Sequence, residues 1–357
     1  VYNYFLNQKI TQYKETGKSD NYYTQAKVLS GLKKEEETEW LKEVNAQSLQ
    51  SGVKNLDVAY QNFFKGRGKF PRFKSKKDKN SFSVPQNGKL INNKLHIPKF
   101  KNGIKCVVHR NVIGTTKSMT ISLTPTGKYF VSILTEQNYE PKSKTGKVIG
   151  IDLGLKDFAI DSEGNKFKNH KHTKKYEKKL AKAQKHLSRK KKGSSSFEKQ
   201  RRKVAKIHEK VSNTRKDVLH KVSNYIITEY DVIALEDLNI KGMVKNKKLS
   251  KHISDASWGT FVMYLQYKAD WNNKKVVKID RFFPSSKTCN ICGDINKDLK
   301  LSDREWTCKN GHKLDRDINA AKNILKEGLK IYSAGTVDNT GGGINKTSIS
   351  EAQACET

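Results

Sequence analysis

Long apolar runs are missing from this 357-residue chain. No stretch approaches 18 consecutive apolar residues, which excludes an apolar helix long enough to span a bilayer. No signal-peptide pattern is present. Cysteine is scarce, five in all, and at this length that rules out a disulfide scaffold. Acid is scarce relative to base: 36 Asp and Glu stand against 71 Lys and Arg, a formal net charge of +35. Hydrophobic residues make up only 35% and the mean hydropathy is −0.79. Fourteen Tyr and fourteen Phe nevertheless supply core material, so the composition is not that of a disordered chain. The length suggests two or three domains, at roughly 100–200 residues each.

A folded chain with this much positive charge repels itself unless something neutralises it. A polyphosphate backbone does so through counterion release. The charge is also clustered: Lys166 to Lys216 holds 21 Lys and Arg against three acids, Glu177, Glu198 and Glu209. Nucleic acid is therefore the expected partner. An anionic membrane surface fits less well, because the apolar positions in this stretch fall on helix-packing stripes and no Trp anchors accompany them.

Hydrophobic spacing divides the chain. Residues 1 to about 65 read as helical, with Trp40, Leu41 and Val44 on one face and Val53, Leu56, Tyr60 and Phe63 on another. Two glycines and a proline between Lys65 and Phe73 break that pattern. Short alternating runs follow at Ser81–Val84, Lys94–Ile97, Met119–Leu123 and Tyr129–Ile133. Turns at Asn87-Gly88, Asn102-Gly103 and Thr126-Gly127 point to a small antiparallel barrel or sheet. The segment 141–146 reads as a linker. A new domain begins at Lys147 with the apolar strand Val148–Asp152 and a hairpin partner at Phe158–Asp161.

Two long helices are expected between Lys174 and Thr228, joined by a turn over 190–196. Tyr176, Leu180, Ala183 and Leu187 mark one stripe; Phe197, Val204, Val211, Val218, Val222 and Ile226 mark the other. A buried strand at Asp231–Leu235, a helix at Trp258–Trp271, a strand at Val276–Ile279 and a helix at Asp315–Leu329 follow. Beyond Gly335 the chain is Gly-, Ser- and Thr-rich and reads as disordered; Cys355 there has no evident partner. Cys106 reads as a core residue of the strand region. No internal repeat is visible.

Three acids stand out by position. Asp152 and Glu236 each end an apolar strand, and Asp317 lies at the start of the last helix. In open α/β sheets, groups at the carboxyl ends of strands converge on one crevice. Taken singly, each acid reads as a strand-end or capping residue, with Asp315 or Asp317 serving the helix dipole. Three together in a basic chain point instead to divalent cations. Mg²⁺ prefers oxygen ligands, and two such ions activate water and stabilise the leaving oxygen of a phosphodiester.

A second constellation follows. Cys289 and Cys292 form a CxxC knuckle, 15 residues separate Cys292 from Cys308, and His312 follows Cys308 with three residues between. Two knuckles at this spacing suit one tetrahedral structural Zn²⁺. His312 is the preferred fourth ligand, with Asp294 or a water as alternatives. A redox CxxC fits less well, because no thioredoxin-like βαβ pattern surrounds it.

These residues resemble a known family. Val148-Ile-Gly-Ile-Asp152-Leu-Gly154, then Ala234-Leu-Glu236-Asp-Leu-Asn239, then the Cys pair, Trp306-Thr-Cys308 and Asp315-Arg-Asp317-Ile-Asn-Ala-Ala321, run in the order found in TnpB. TnpB is the transposon-encoded RNA-guided DNA nuclease related to type V CRISPR effectors. The string from Phe63 to Lys76 is also similar to the family's N-terminal half. The resemblance implies an α/β multidomain protein. Its RNase H-like RuvC nuclease domain would carry a zinc-ribbon insert, and an N-terminal helical recognition lobe and a β-barrel wedge domain would precede it.

The implied layout is a recognition lobe over 1–75 and a wedge over 76–145. The nuclease domain would occupy 146–283, with a basic arm over 166–228. The zinc insert would span 284–313, the end of the nuclease domain 314–334 and the tail 335–357. Asp152, Glu236 and Asp317 would hold two Mg²⁺ or Mn²⁺ ions, and one Zn²⁺ would be structural. The implied partners are a guide RNA and target double-stranded DNA, with no membrane, in a bacterial, cytoplasmic and nucleoid-associated setting. RNA pairing would give specificity while the protein reads duplex shape and a short flanking motif. Backbone-contacting cations are expected at Lys65, Arg67, Lys69, Arg72, Lys74, Lys190, Lys191, Lys192, Arg201 and Arg202.

Two departures are visible. Many members carry a second CxxC where this chain has Cys308 and His312. The family's first barrel strand, ahead of a helix like Tyr2–Ile10, is absent and the first residue is Val1, so a truncated or trimmed N-terminus is expected. Two other functions compete. A guide-bound repressor without cleavage would be expected to lack one or more of the three acids. A transposase acting without RNA would use either the acids or a Tyr beside a His pair on a strand. His170 and His172 have that spacing but sit in a Lys-rich run, and they read as basic surface.

Overall fold

The computed structural model describes residues 1–75, 80–300 and 302–335; the expected tail with Cys355, and Lys76, lie outside these. They form two units, Val1–Asn138 and the part from Tyr139 onward.

The first unit opens with helices α1 (Tyr2–Thr16), α2 (Tyr22–Leu32) and α3 (Ala46–Phe64), with a 3-10 turn at Glu36–Glu43. Asn21 and Asn45 cap α2 and α3 by accepting from the backbone N–H groups of Thr24 and Gln47. Phe5, Leu6, Leu29, Val53 and Leu56 bury into one core. The expected face of Trp40, Leu41 and Val44 does not form: Leu41 is buried, but Trp40 is 59% exposed. At three residues per turn, adjacent positions point about 120° apart, so Trp40 cannot follow Leu41 inward.

Strands β1 (Asn80–Val84), β2 (Lys89–Ile91), β3 (Lys94–His96), β4 (Ile104–Lys105), β5 (Thr115–Leu123) and β6 (Tyr129–Glu136) follow. They make two antiparallel three-stranded sheets, β1-β5-β6 and β2-β3-β4, in the region expected to hold a small antiparallel barrel or sheet. The second sheet has strands of only two or three residues, too short to pair around an edge. Val84, Leu95, Met119 and Val131 nevertheless share one small core, and Cys106 packs partly buried against it.

The second unit is built on β7 (Val148–Leu153), β8 (Asp157–Asp161), β9 (Lys166–Lys168), β10 (Val232–Glu236) and β11 (Lys275–Ile279), in the order β11-β10-β7-β8-β9. β7, β10 and β11 are parallel; β8 and β9 run antiparallel. Between β9 and β10 lie α4 (His172–Ser188) and α5 (Ser195–Glu229). Between β10 and β11 lie α6 (Ile240–Met243), α7 (Ser250–Ala256) and α8 (Trp258–Trp271). A hairpin of β12 (Glu305–Thr307) and β13 (Lys313–Asp315) leads into α9 (Arg316–Ser333).

Side chains alternate across a strand. Ile149, Ile151, Ile233 and Leu235 therefore face one way, into the main core with α5, α7 and α8. Gly150 and Ala234 face the other way, where α9 lies. A Cβ on Gly150 would stand 2.2 Å from the Ala321 carbonyl oxygen, and one on Gly328 would stand 2.5 Å from the Ala234 Cβ. Small residues on both surfaces let the helix backbone rest directly on the strands.

The segment read as a linker is strapped to this unit. Asp231 accepts from the N–H groups of Thr145 and Gly146, and Asn272 accepts from Tyr139 and from the N–H of Lys142. α4 and α5 are the two long helices anticipated here, and α5 adds Ile207, Leu219 and Ile227 to the buried stripe. The base of this pair is pinned by Asp255, which accepts from Thr173 and pairs with Arg215 at 2.7 Å.

Candidate active site and metal centre

The three singled-out carboxylates occupy one end of this sheet. In the β7–β10 ladder Ile151 pairs with Leu235, so Asp152 and Glu236 come next on adjacent strands. By alternation they share the face of Gly150 and Ala234, the face α9 covers. Asp317 lies in the first turn of α9, so the helix carries the third acid to the same place. All three are half-buried. Burial, then the charges of Glu236 and Asp317, push the Asp152 carboxyl up to about 7, against a smaller opposing pull from Arg316. Burial also raises Glu236, although a hydrogen bond from the Ser285 hydroxyl works the other way.

Asp317, the expected third acid, and its neighbour Asp315 differ in their partners. Asp315 caps α9, its Oδ1 accepting from the N–H groups of Asp317 and Ile318 at 3.0 Å each. Its other oxygen pairs with Lys166 at 3.2 Å. Asp317 makes no such cap; its carboxylate faces Arg304 at 3.2 Å. Arg304 comes from the segment between the two Cys knuckles, and no spacing rule singles it out.

The second constellation assembles as expected. The ligand atoms of Cys289, Cys292, Cys308 and His312 lie within 4.8 Å of one another. Cys292 Sγ is 3.7 Å from Cys308 Sγ, and His312 Nδ1 is 3.1 Å from Cys308 Sγ. Each half closes on a glycine: the Cys289 carbonyl accepts from Gly293 four residues on, the Cys308 carbonyl accepts from Gly311 three residues on, and both glycines have positive φ. The backbone N–H of Asp294 lowers the Cys292 thiol to about 6, with help from the neighbouring Cys and His ligands. Three soft sulfurs and one imidazole match the donor set of structural Zn²⁺. The Asp294 carboxylate accepts from the N–H of Lys309 at 3.1 Å, bracing the second knuckle, and His312 is the fourth member of the close cluster.

The expected nucleic-acid cations are mostly exposed. Lys65, Arg67, Lys69, Arg72 and Lys74 are exposed, with Lys74 over the Tyr2 ring at 4.2 Å. Lys190, Lys191 and Lys192 cap the tip of the α4–α5 hairpin and are exposed, as is Arg202. Arg201 pairs with Glu198 at 2.8 Å. His170 and His172 stack at 5.6 Å where α4 begins, not on a strand.

Residues 130–247 match the family model OrfB_IS605, described as "Probable transposase", and residues 258–324 match "Cas12f1-like, TNB domain". A Streptomyces pristinaespiralis protein named "Putative RNA-guided DNA endonuclease" is 37% identical over 94% of this chain and 84% of its own. The chain belongs to the TnpB family. An Escherichia coli K12 TnpB relative, InsQ, carries the same description and is 31% identical over 95% of this chain and 89% of its own. Among solved structures, the "Cas12f1-sgRNA-target DNA complex" superposes with a TM-score of 0.54, covering 91% of this chain and 80% of that one at 13% identity. That likeness speaks for the fold.

Proposed function

We propose that this TnpB-family chain is an RNA-guided DNA endonuclease, with Asp152, Glu236 and Asp317 as its metal-holding carboxylates. It would bind a guide RNA copied from the transposon end and cut target DNA beside a short motif. The convergence of the three acids at one sheet end carries the reading. Burial and then the neighbouring acids push Asp152 up, a cost that divalent cations would relieve. The donors are all hard oxygens, which suits Mg²⁺ or Mn²⁺. Two such ions would supply an activated water and stabilise the leaving oxygen of a phosphodiester.

The chain's own residues do the rest. Small residues under α9 set Asp317 against Asp152 and Glu236. Arg304 holds a guanidinium beside the Asp317 carboxylate, where it would offer a phosphate a positive partner. The basic hairpin and the 65–74 string neutralise backbone. The mixed sheet supports an RNase H-like RuvC domain, and the helical and stranded parts of the first unit fit a recognition lobe and a wedge. All three acids are present and the relatives are named as endonucleases, so a non-cleaving repressor or an RNA-independent transposase is less favoured.

The test is purification of the full chain with its RNA, then cleavage of DNA matching that RNA. Asp152→Ala, Glu236→Ala and Asp317→Ala should each abolish cleavage and leave RNA and DNA affinity nearly unchanged, because phosphate affinity is spread over many cations. Asp315→Ala should lose about 1 kcal/mol of stability through the cap and still cut. Normal cleavage by Asp317→Ala, or absence of a discrete co-purifying RNA, would sink the proposal.

A further inference from the structure

Between β11 and the first knuckle runs Phe283-Pro-Ser-Ser-Lys-Thr-Cys289, a stretch without metal-ligand spacing of its own. It folds as one tight turn: the N–H groups of Lys287 and Thr288, and the Thr288 hydroxyl, all donate to the Pro284 carbonyl. Ser285 is 5% exposed, and its hydroxyl donates to Glu236 Oε1. It is the one side chain among the described contacts that hydrogen-bonds this carboxylate.

The turn is held from behind by two buried amides of α9, Asn319 (1% exposed) and Asn323 (3%), one helical turn apart. Asn323 donates to the carbonyls of Ser285 and Thr288 at 2.8 and 2.5 Å. Asn319 donates to Thr288 at 2.7 Å and accepts from the backbone and side chain of Asn290 at 2.9 and 2.8 Å. Asn290 directly follows the knuckle cysteine Cys289. Asn319 also stands two residues after Asp317. One small buried network therefore touches the Glu236 carboxylate, the helix that carries Asp317 and the start of the zinc knuckle. Buried amides are costly unless satisfied, and here they are satisfied by backbone groups whose position decides where Ser285 points.

We infer that Ser285 is a positioning residue for Glu236, clamped by Asn319 and Asn323 between the knuckle and α9. This rests on the reading of Glu236 as a ligand to the catalytic metals. The hydroxyl leaves Glu236 one oriented oxygen pattern to offer a cation. The knuckle thereby acts on the site through the turn that precedes it, in addition to any effect on folding. Outer partners of metal-ligating carboxylates typically contribute about 10–100-fold in metal affinity or activity.

The experiment uses the full chain with Ser285→Ala and Ser285→Thr. Mn²⁺ binding is read from the loss of free-ion signal in electron paramagnetic resonance, and cleavage from its Mg²⁺ concentration dependence. Zinc content and thermal midpoint are followed alongside. Ser285→Ala should weaken Mn²⁺ binding and raise the half-saturating Mg²⁺ by about 10–100-fold, with zinc content unchanged. Ser285→Thr, which keeps the hydroxyl, should restore both. On a Glu236→Gln background, Ser285→Ala should add little further loss. Wild-type Mn²⁺ binding by Ser285→Ala, or full additivity with Glu236→Gln, would overturn the inference. A wild-type chain that binds no Mn²⁺ would instead overturn the reading of the carboxylates as a metal site.

Discussion

Asp152 is the residue on which the site's electrostatics turn. Its raised pKa, about 7 against an ordinary value near 4, means the folded chain without divalent ions holds a proton that the unfolded chain releases. Linkage then sets the sign. This group's contribution is most favourable below the unfolded pKa and is lost as pH rises from about 4 through 7. Asp152→Asn should therefore melt higher than wild type at pH 8 without added Mg²⁺, by roughly 2–4 °C per kcal/mol recovered. Added Mg²⁺ should stabilise wild type and leave the variant behind. A variant that melts no higher at pH 8 would mean the carboxylates do not repel. At the metal knuckles, one Zn²⁺ per chain is expected by elemental analysis. Cys289→Ser and His312→Ala should lose it and melt lower, whereas Asp294→Ala should keep it, because the Asp294 carboxylate braces the Lys309 N–H while His312 lies in the sulfur cluster. Freshly purified chain without zinc would reject this centre.

At the scale of elements, the seating of α9 on β7 and β10 decides whether the carboxylates meet. Gly150 allows that seating, since any side chain there runs into the helix backbone at Ala321 and Leu325. Gly150→Ala should cost roughly 1–3 kcal/mol through overpacking. It should also lower cleavage at saturating Mg²⁺ in the fraction that remains folded, because α9 must move and Asp317 moves with it. Gly17→Ala, just past the end of α1 with positive φ and nothing within 4 Å, serves as a control: it should show only backbone strain, measured as a melting shift without a cleavage change. Equal cleavage in Gly150→Ala and wild type at matched folded fraction would show that α9 does not set the site.

For the whole molecule, the +35 charge is distributed so that its densest stretch lies on one helical hairpin. The apolar faces of α4 and α5 pack on each other, leaving the lysines outward. Lys is a flexible point charge suited to phosphate and poor at bidentate reading of bases. Replacing Lys190, Lys191 and Lys192 with Gln should weaken binding of matched and mismatched targets alike. The slope of log affinity against log salt should become shallower by about 2 to 3, one counterion fraction for each lost contact. An unchanged slope would mean the hairpin tip touches no phosphate.

Much of this architecture is written in local pattern. Val-Ile-Gly-Ile-Asp and Val-Ile-Ala-Leu-Glu read as buried parallel strands ending in acids because their periodicity and their ends are local properties. Helix α8 appears with the boundaries its hydrophobic spacing predicts, Trp258–Trp271. The two knuckles were legible because metal geometry imposes a short spacing on the chain. Other features depended on contacts between distant segments. Asp317 was singled out over Asp315 from the sequence, but the role of Asp315 as the cap of its own helix is seen only in the fold. Gly150 was an unremarked residue in a strand until α9 was found resting on it. Trp40 looked inward by helical spacing but lies on a 3-10 turn that sends it outward. Ser285, Asn319, Asn323 and Arg304 carried no pattern, since each acts on a partner at least 13 residues away, Asn319 and Asn323 across more than 30 to Ser285. Short-range chemistry is encoded where it is used. Orientation of a carboxylate by a hydroxyl from another loop exists only once the sheet and its covering helix have closed.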